Sequence, residues 1–87
     1  MASYELVFKR SVAKDLRGFP KQDVKRIWQR IRSLADDPRP AGCEKLSGQE
    51  RYRIRQGAYR IVYAIEDARL IVLIVKVGHR RAVYRRN

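Results

Sequence analysis

The chain has one cysteine, Cys43, and one histidine, His79. A single cysteine rules out an intrachain disulfide, and one thiol with one imidazole cannot close a structural zinc site within the chain. A nuclease mechanism that relies on two histidines is excluded as well. Acidic residues are scarce: 9 Asp and Glu stand against 21 Lys and Arg. Glu66 and Asp67 read as turn residues, and Asp36 and Asp37 as the end of a helix. No acidic cluster is left to hold the ions of metal-assisted phosphoryl chemistry, so neither metal nor cofactor is expected. No glycine-rich phosphate loop and no Ser-His-Asp arrangement is visible. Apolar runs are short, and the longest, Leu70 to Val75, falls far below the length that spans a bilayer. The opening Met-Ala-Ser-Tyr-Glu-Leu-Val lacks the layout of a signal peptide. The expectation is a cytoplasmic protein in a reducing compartment, without a membrane partner, in which Cys43 is an inert loop thiol.

What is present in quantity is positive charge. The formal net charge is +12 over 87 residues, of which 45% are hydrophobic. That hydrophobic fraction suits one globular domain spanning residues 1–87. The charge attracts polyanions and repels other basic surfaces. Nucleic acid is the first candidate partner, an acidic protein the second and an anionic membrane the third.

Periodicity gives an α+β architecture: a strand, two helices, then a three-strand antiparallel meander, with the helices packed on one small sheet. Tyr4, Leu6 and Phe8 alternate with Glu5, Val7 and Lys9 as a first strand. Ser11 is expected to cap a short helix that stops at Gly18, with Val12, Leu16 and Phe19 near one face. Val24, Ile27, Trp28, Ile31, Leu34 and Ala35 recur at helical spacing and predict a longer helix, ended by Asp36-Asp37-Pro38-Arg39-Pro40. The stretch to Gly48 reads as loop. Arg51 to Gln56 reads as a strand with Tyr52 and Ile54 on one face, and Gln56-Gly57-Ala58 as a turn. Tyr59, Ile61, Tyr63 and Ile65 line the next strand, and Asp67-Ala68 turns the chain again. Leu70 to Val77 reads as a central strand buried on both faces, ended by Gly78, with a short basic tail from His79 to Asn87.

Alternation places Arg51, Arg53 and Arg55 on one strand face. An even-numbered hairpin loop would put Arg60 on that same face, opposite one of them. Charge on a solvent-facing strand can serve only to block aggregation, but like charges placed opposite each other destabilise a sheet. A cluster retained against that cost points to a bound anion such as phosphate. Arg80 and Tyr84 follow the buried strand and can lie near the sheet edge. Arginine grips phosphate with a planar fork of donors. Tyrosine stacks on unpaired bases, although Tyr84 could equally be a plain anchor for the tail. With metal and two-histidine chemistry excluded, an enzyme built from these residues works by positioning and electrostatics. RNA suits that mode because its 2′-hydroxyl is a built-in nucleophile.

These residues carry a resemblance to a known family. Tyr4-Glu5-Leu6-Val7-Phe8, Asp37-Pro38-Arg39-Pro40, Lys45-Leu46-Ser47-Gly48, Tyr52-Arg53-Ile54-Arg55, Tyr59-Arg60-Ile61-Val62-Tyr63 and Val77-Gly78-His79-Arg80, followed by Tyr84-Arg85, resemble RelE-type toxins of type II toxin–antitoxin systems, within the wider RelE and ParE superfamily. The match covers essentially the whole chain and keeps the motif order. It implies the RelE-like microbial RNase-type fold and a domain that enters the ribosomal A site, binds ribosomal RNA and cuts mRNA there without a metal. The 2′-hydroxyl attacks the adjacent phosphate, leaving a 2′,3′-cyclic phosphate and a 5′-hydroxyl. By motif position, the resemblance assigns Arg53 and Arg55 to the paired basic positions and Arg60 to the scissile phosphate. It assigns Arg80 to the leaving oxygen and Tyr84 to the substrate base, with Lys45, His79, Arg81 and Arg85 as RNA contacts. Some members carry lysines where this chain has Arg53 and Arg55, and an arginine does not surrender its proton as a lysine can. His79, beside Arg80, is therefore a candidate aid to proton transfer; otherwise it contacts RNA or pairs with a turn. The resemblance also implies a RelB-like antitoxin partner, with DNA met only through that antitoxin. Two other functions stay open: a ParE-like inhibitor of DNA gyrase on the same fold, and a non-catalytic RNA-binding module.

Overall fold

A computed structural model of the chain describes residues 3–46 and 50–79. Strand β1 (Glu5–Phe8) leads into helix α1 (Arg10–Arg17) and helix α2 (Lys21–Asp36), and strands β2 (Glu44–Lys45), β3 (Arg51–Gln56), β4 (Tyr59–Glu66) and β5 (Ile71–His79) follow. The strands form one sheet in the order β1-β5-β4-β3-β2. β2, β3, β4 and β5 run antiparallel to their neighbours, whereas β1 lies parallel to β5. The expected meander is therefore present inside a larger mixed sheet. β5 is an interior strand, paired by β1 on one side and β4 on the other, but it is not buried on both faces as expected. Val72, Ile74 and Val77 are buried on the helix side, whereas Leu73 is half-buried and Lys76 exposed, because the helices cover one face only.

Both helices cover one face of the sheet. Ile27, Ile31 and Leu34 recur at three- and four-residue spacing on α2 and are fully buried, together with Val12 of α1. They meet the alternate residues Tyr52 and Ile54 of β3, Ile61 and Tyr63 of β4, and Val72, Ile74 and Val77 of β5. Asp15 of α1 accepts from the backbone N–H of Val77 at 3.3 Å, which fixes α1 on β5. At the end of α2, the Ala35 carbonyl accepts from the N–H of Tyr4 at 2.8 Å and aligns β1.

Several boundaries differ from the sequence expectation, each for a local reason. α1 begins at Arg10 and Lys9 occupies the capping position without a side-chain bond, so Ser11 is not the cap. Gly18 ends α1 with φ −84° and needs none of glycine's special freedom. Residues Glu44 and Lys45, expected in a loop, form an edge strand on β3, too short to leave any periodic signal. The turn after β4 is a single 3-10 turn, Asp67–Arg69, and Leu70 closes it in the left-handed region with φ 54°, so β5 starts one residue later than Leu70. Gly78 lies within β5 opposite Arg60, and the strand continues to His79. Trp28 belongs to the α2 stripe but is 41% exposed, because it sits at the rim of the core and stacks on Phe8 at 5.5 Å.

The Asp37-Pro38-Arg39-Pro40 motif ties the far end of the molecule together. Arg39 grips Asp67 with two bonds of 3.2 and 2.9 Å, and its Nε donates to the Tyr52 hydroxyl at 3.2 Å. Tyr4 donates to the same Asp67 at 2.7 Å, and the buried Tyr63 hydroxyl donates to the Pro38 carbonyl at 2.7 Å. Arg39 beside it, and then Tyr4, hold the Asp67 carboxyl below the usual carboxylate range. Burial pushes the Tyr63 hydroxyl well above its ordinary value.

Candidate nucleic-acid interface

A two-residue turn, Gly57-Ala58, joins β3 to β4. Gly57 takes φ 58° while Ala58 stays at negative φ, the sign pattern of a type II′ hairpin turn. The even loop pairs Arg55 with Arg60 and Arg53 with Val62. Cross-strand partners share a face, so the guanidiniums of Arg53, Arg55 and Arg60 all belong to the sheet face away from the helices. Two rows result. Glu44, Arg53, Val62 and Lys76 lie side by side across β2 to β5, and Arg55, Arg60 and Gly78 form the row nearer the turn. Gly78 presents no side chain beside Arg60.

These rows enclose a small polar pocket of about 110 Å³ lined by Gly42, Glu44, Arg53, Arg55 and Arg60. Arg53 donates to Glu44 Oε1 through Nη2 at 2.6 Å and Nε at 3.2 Å. That bond, reinforced by the charges of Arg60 and Arg55, holds the Glu44 carboxyl below its ordinary range. Arg60 is buried, at 9% exposure, while Arg55 is exposed. Three guanidiniums against one carboxylate leave a net positive pocket whose walls consist mainly of N–H donors, which suits a phosphate-sized anion.

The structure does not bring every expected residue to this pocket. Lys45 pairs with Tyr52, which places it on the opposite face, and it reaches Glu50 at 3.4 Å. His79 pairs with Tyr59, also on the helix side, and its ring meets that of Tyr59 edge-on at 5.9 Å. Arg80, Arg81, Tyr84 and Arg85 lie outside the described residues. Sequence reasoning missed Glu44, whose signal was hidden because a two-residue strand has no readable alternation. It also missed Asp23, which accepts from the Tyr59 hydroxyl at 2.7 Å across the α2–β4 contact. Among the described residues, no helix is long and apolar enough to cross a membrane.

The sequence and fold both have relatives. The family model for the ParE toxin of the type II toxin–antitoxin system parDE matches residues 6–84. The Methanocaldococcus jannaschii protein bearing the toxin name RelE1 is 30% identical over 78 residues, covering 85% of this chain and 87% of the relative. Toxin RelG of Mycobacterium tuberculosis is 29% identical over 87 residues, covering 95% and 98%. Among solved structures, the archaeal RelE–RelB complex of Pyrococcus horikoshii contains a chain that matches with a TM-score of 0.81 at 27% identity, covering 90% of this chain and 96% of that one. The intact RelBE toxin–antitoxin complex of Escherichia coli gives a TM-score of 0.76 at 26% identity, covering 88% and 96%. With a family model running from β1 past the end of β5, and relatives aligned over nearly their whole length, the chain belongs to the ParE toxin family of type II toxin–antitoxin systems, in the RelE/ParE superfamily.

Proposed function

We propose that this toxin is a ribosome-dependent mRNA endonuclease that cuts in the ribosomal A site. The observation that carries the reading is the Arg53–Arg55–Arg60 pocket with Arg55 set directly opposite Arg60. Cross-strand like charges cost stability, and a phosphate between them removes that cost. The 2′-hydroxyl of the substrate attacks the adjacent phosphorus and loses its proton to water. The bond from phosphorus to the 5′-oxygen breaks, that oxygen takes up a proton, and a 2′,3′-cyclic phosphate remains. Arg60 and Arg55 neutralise the non-bridging oxygens, where charge builds in the transition state. Arg53, held by Glu44, orients the phosphate from the next row. Leaving-group stabilisation by Arg80 and base stacking by Tyr84 complete the scheme. His79 stands on the other sheet face from the arginine pocket, so a contact with RNA suits it better than proton transfer at the phosphate.

The toxin is held in check by an antitoxin, as the RelE–RelB and RelBE relatives are solved in complex with theirs. On this chain the exposed pair Phe8 and Trp28 opens onto an apolar groove of about 460 Å³ that includes Val12 and Leu16, with Lys9 and Arg10 at its rim. An acidic amphipathic helix matches both the apolar floor and the basic rim.

The test is a purified translation system with a defined mRNA, mapped 5′ ends and a naked-mRNA lane. Cuts at A-site codons only with ribosomes present are the expected result. The family model bears the ParE name, which favours a second reading, inhibition of DNA gyrase. Absence of cuts, together with trapped gyrase–DNA cleavage complexes in a parallel assay, overturns the first reading in favour of the second.

A further inference from the structure

A second cavity, of about 380 Å³, opens at the same end of the β3–β4 hairpin but on the helix side of the sheet. Three parts of the fold supply its walls: Asp23 and Arg26 from the start of α2, Gln56 and Tyr59 on either side of the turn, and His79 at the end of β5. The register explains why they converge. Gln56 pairs with Tyr59, and Tyr59 pairs with His79, forming one row across three strands. That row is the immediate neighbour of the Arg55–Arg60–Gly78 row, with its side chains on the opposite face.

The cavity walls are held in place. The Tyr59 ring lies against Phe19 at 4.6 Å, and its hydroxyl donates to Asp23 Oδ2 at 2.7 Å. The Asp23 bond raises the Tyr59 hydroxyl above its ordinary pKa, which keeps it a donor. The His79 ring stands at 80° to that of Tyr59. A flat group laid on one ring therefore meets the edge of the other.

Size and polarity limit the occupant. Sites for small organic groups begin at about 300 Å³, so a planar heterocycle fits. Asp23 repels a phosphate at this point, Arg26 repels a cation, and the two rings favour an aromatic plane. Unpaired RNA bases stack on such rings and are read through hydrogen bonds on their edges. We propose that this cavity is a nucleobase site for the RNA strand whose phosphate enters the arginine pocket around the hairpin end, and that Asp23 makes it select guanine over uracil. Guanine presents N1–H and an N2 amino group side by side, which matches a carboxylate. Its O6 accepts from a guanidinium such as that of Arg26. Uracil offers one N–H between two carbonyl oxygens, which the carboxylate repels. The bond from Tyr59 uses one acceptor site of Asp23 Oδ2, and a carboxylate with about four such sites can still accept from both guanine N–H groups.

The proposal rests on the RNA-directed reading above for the identity of the polymer, but its test needs neither ribosomes nor cleavage. The purified full chain is titrated with GMP and with UMP, which carry the same phosphate, and backbone amide shifts are followed by NMR. GMP is expected to move Gly57, Tyr59 and His79 and to bind at least tenfold more tightly than UMP. Asp23→Asn is expected to erase that preference. An asparagine still accepts from Tyr59, so the fold is retained; should its spectrum lose dispersion, the exposed Arg26→Ala reads the same site. Equal affinity for GMP and UMP, or shifts confined to Arg53, Arg55 and Arg60 with both ligands, overturns the proposal. A toxin that prefers GMP but cuts no mRNA keeps the base site and removes the nuclease reading. One that cuts mRNA but binds both nucleotides alike does the reverse.

Discussion

Arg55 and Arg60 face each other directly across the β3–β4 hairpin, two guanidiniums in one row with Gly78 beside them. Directly opposed like charges destabilise a sheet by about 0.2–1 kcal/mol. Arg55→Gln is therefore expected to raise stability by a few tenths of a kcal/mol in low salt, an effect that shrinks as salt screens the pair. The same change is expected to lower ribosome-dependent cleavage, and Arg60→Ala to lower it about 10²–10³-fold, the usual loss when one transition-state donor is removed. Chemical denaturation at two salt concentrations, beside single-turnover cleavage, checks both halves. If Arg55→Gln lowers stability and leaves cleavage unchanged, the pair is structural.

The Tyr63 hydroxyl is buried and donates to the Pro38 carbonyl at 2.7 Å. Tyr63→Phe keeps the ring and leaves that carbonyl without its donor. A loss of about 1–2 kcal/mol is expected, which in a domain of this size lowers Tm by roughly 4–16 °C. Thermal unfolding followed by circular dichroism measures it, and an unchanged Tm shows that the bond carries no net stability.

Acid and alkaline limits follow from different groups. Asp67, gripped by Arg39 and Tyr4, and Glu44, gripped by Arg53, both have lowered folded-state pKa values. Their stabilisation is fully present above the unfolded carboxylate range, about pH 4. It is lost as pH falls through the lowered folded values. Tyr63 is raised by burial, so its contribution is present below the unfolded tyrosine value, about pH 10, and is lost at more alkaline pH. Asp67→Asn is expected to reduce the acid limb of a stability–pH curve to the share that Glu44 carries, and to soften the alkaline limb only by the share of Tyr4, whose hydroxyl the Asp67 bond raises. A steep acid limb in that variant assigns the dependence elsewhere.

Trp28 is the chain's one tryptophan, exposed and stacked on Phe8. Antitoxin binding over the groove is expected to shift its fluorescence to the blue. Trp28→Ser is expected to weaken the complex at least tenfold while the isolated toxin keeps its fold, because fully buried Ile27, Ile31 and Leu34 hold α2 to the sheet. Calorimetric titration of the variant with the antitoxin provides the measurement, and unchanged affinity excludes this face as the docking site.

The parts of the fold that repeat were legible in the sequence. Ile27, Ile31 and Leu34 betray α2 through spacing, and Tyr52, Ile54, Ile61 and Tyr63 betray the inner sheet face through alternation. The shared face of Arg53, Arg55 and Arg60 followed from that same alternation once the turn was taken as even. The parts held by single long-range contacts were not legible. Glu44 reaches Arg53 from a strand only two residues long. Asp23 meets Tyr59 36 positions away, and Arg39 meets Asp67 28 positions away. Nothing periodic marks either pair. Parallel pairing of β1 with β5 joins the two ends of the described chain, and local propensity does not record it.

Everything on both faces of the hairpin end depends on Gly57, which sets the loop at two residues and so the pairing of Arg55 with Arg60. A Cβ added at Gly57 meets nothing within 4 Å, so any penalty there comes from its φ of 58° and not from a clash. For an L-residue that conformation costs about 1–2 kcal/mol, more when the side chain is β-branched. Gly57→Val is therefore expected to destabilise the fold by about 2 kcal/mol, and Gly57→Asn by less, since asparagine is among the residues that dominate the positive-φ positions of such turns. The ordering separates strain from crowding. A conformational penalty gives Val well above Asn despite open space at the site, whereas equal losses show that the turn relaxes to another type. In that case the Arg55–Arg60 register would be held by the core residues Ile54 and Ile61, paired one step inward, and cleavage should survive both substitutions.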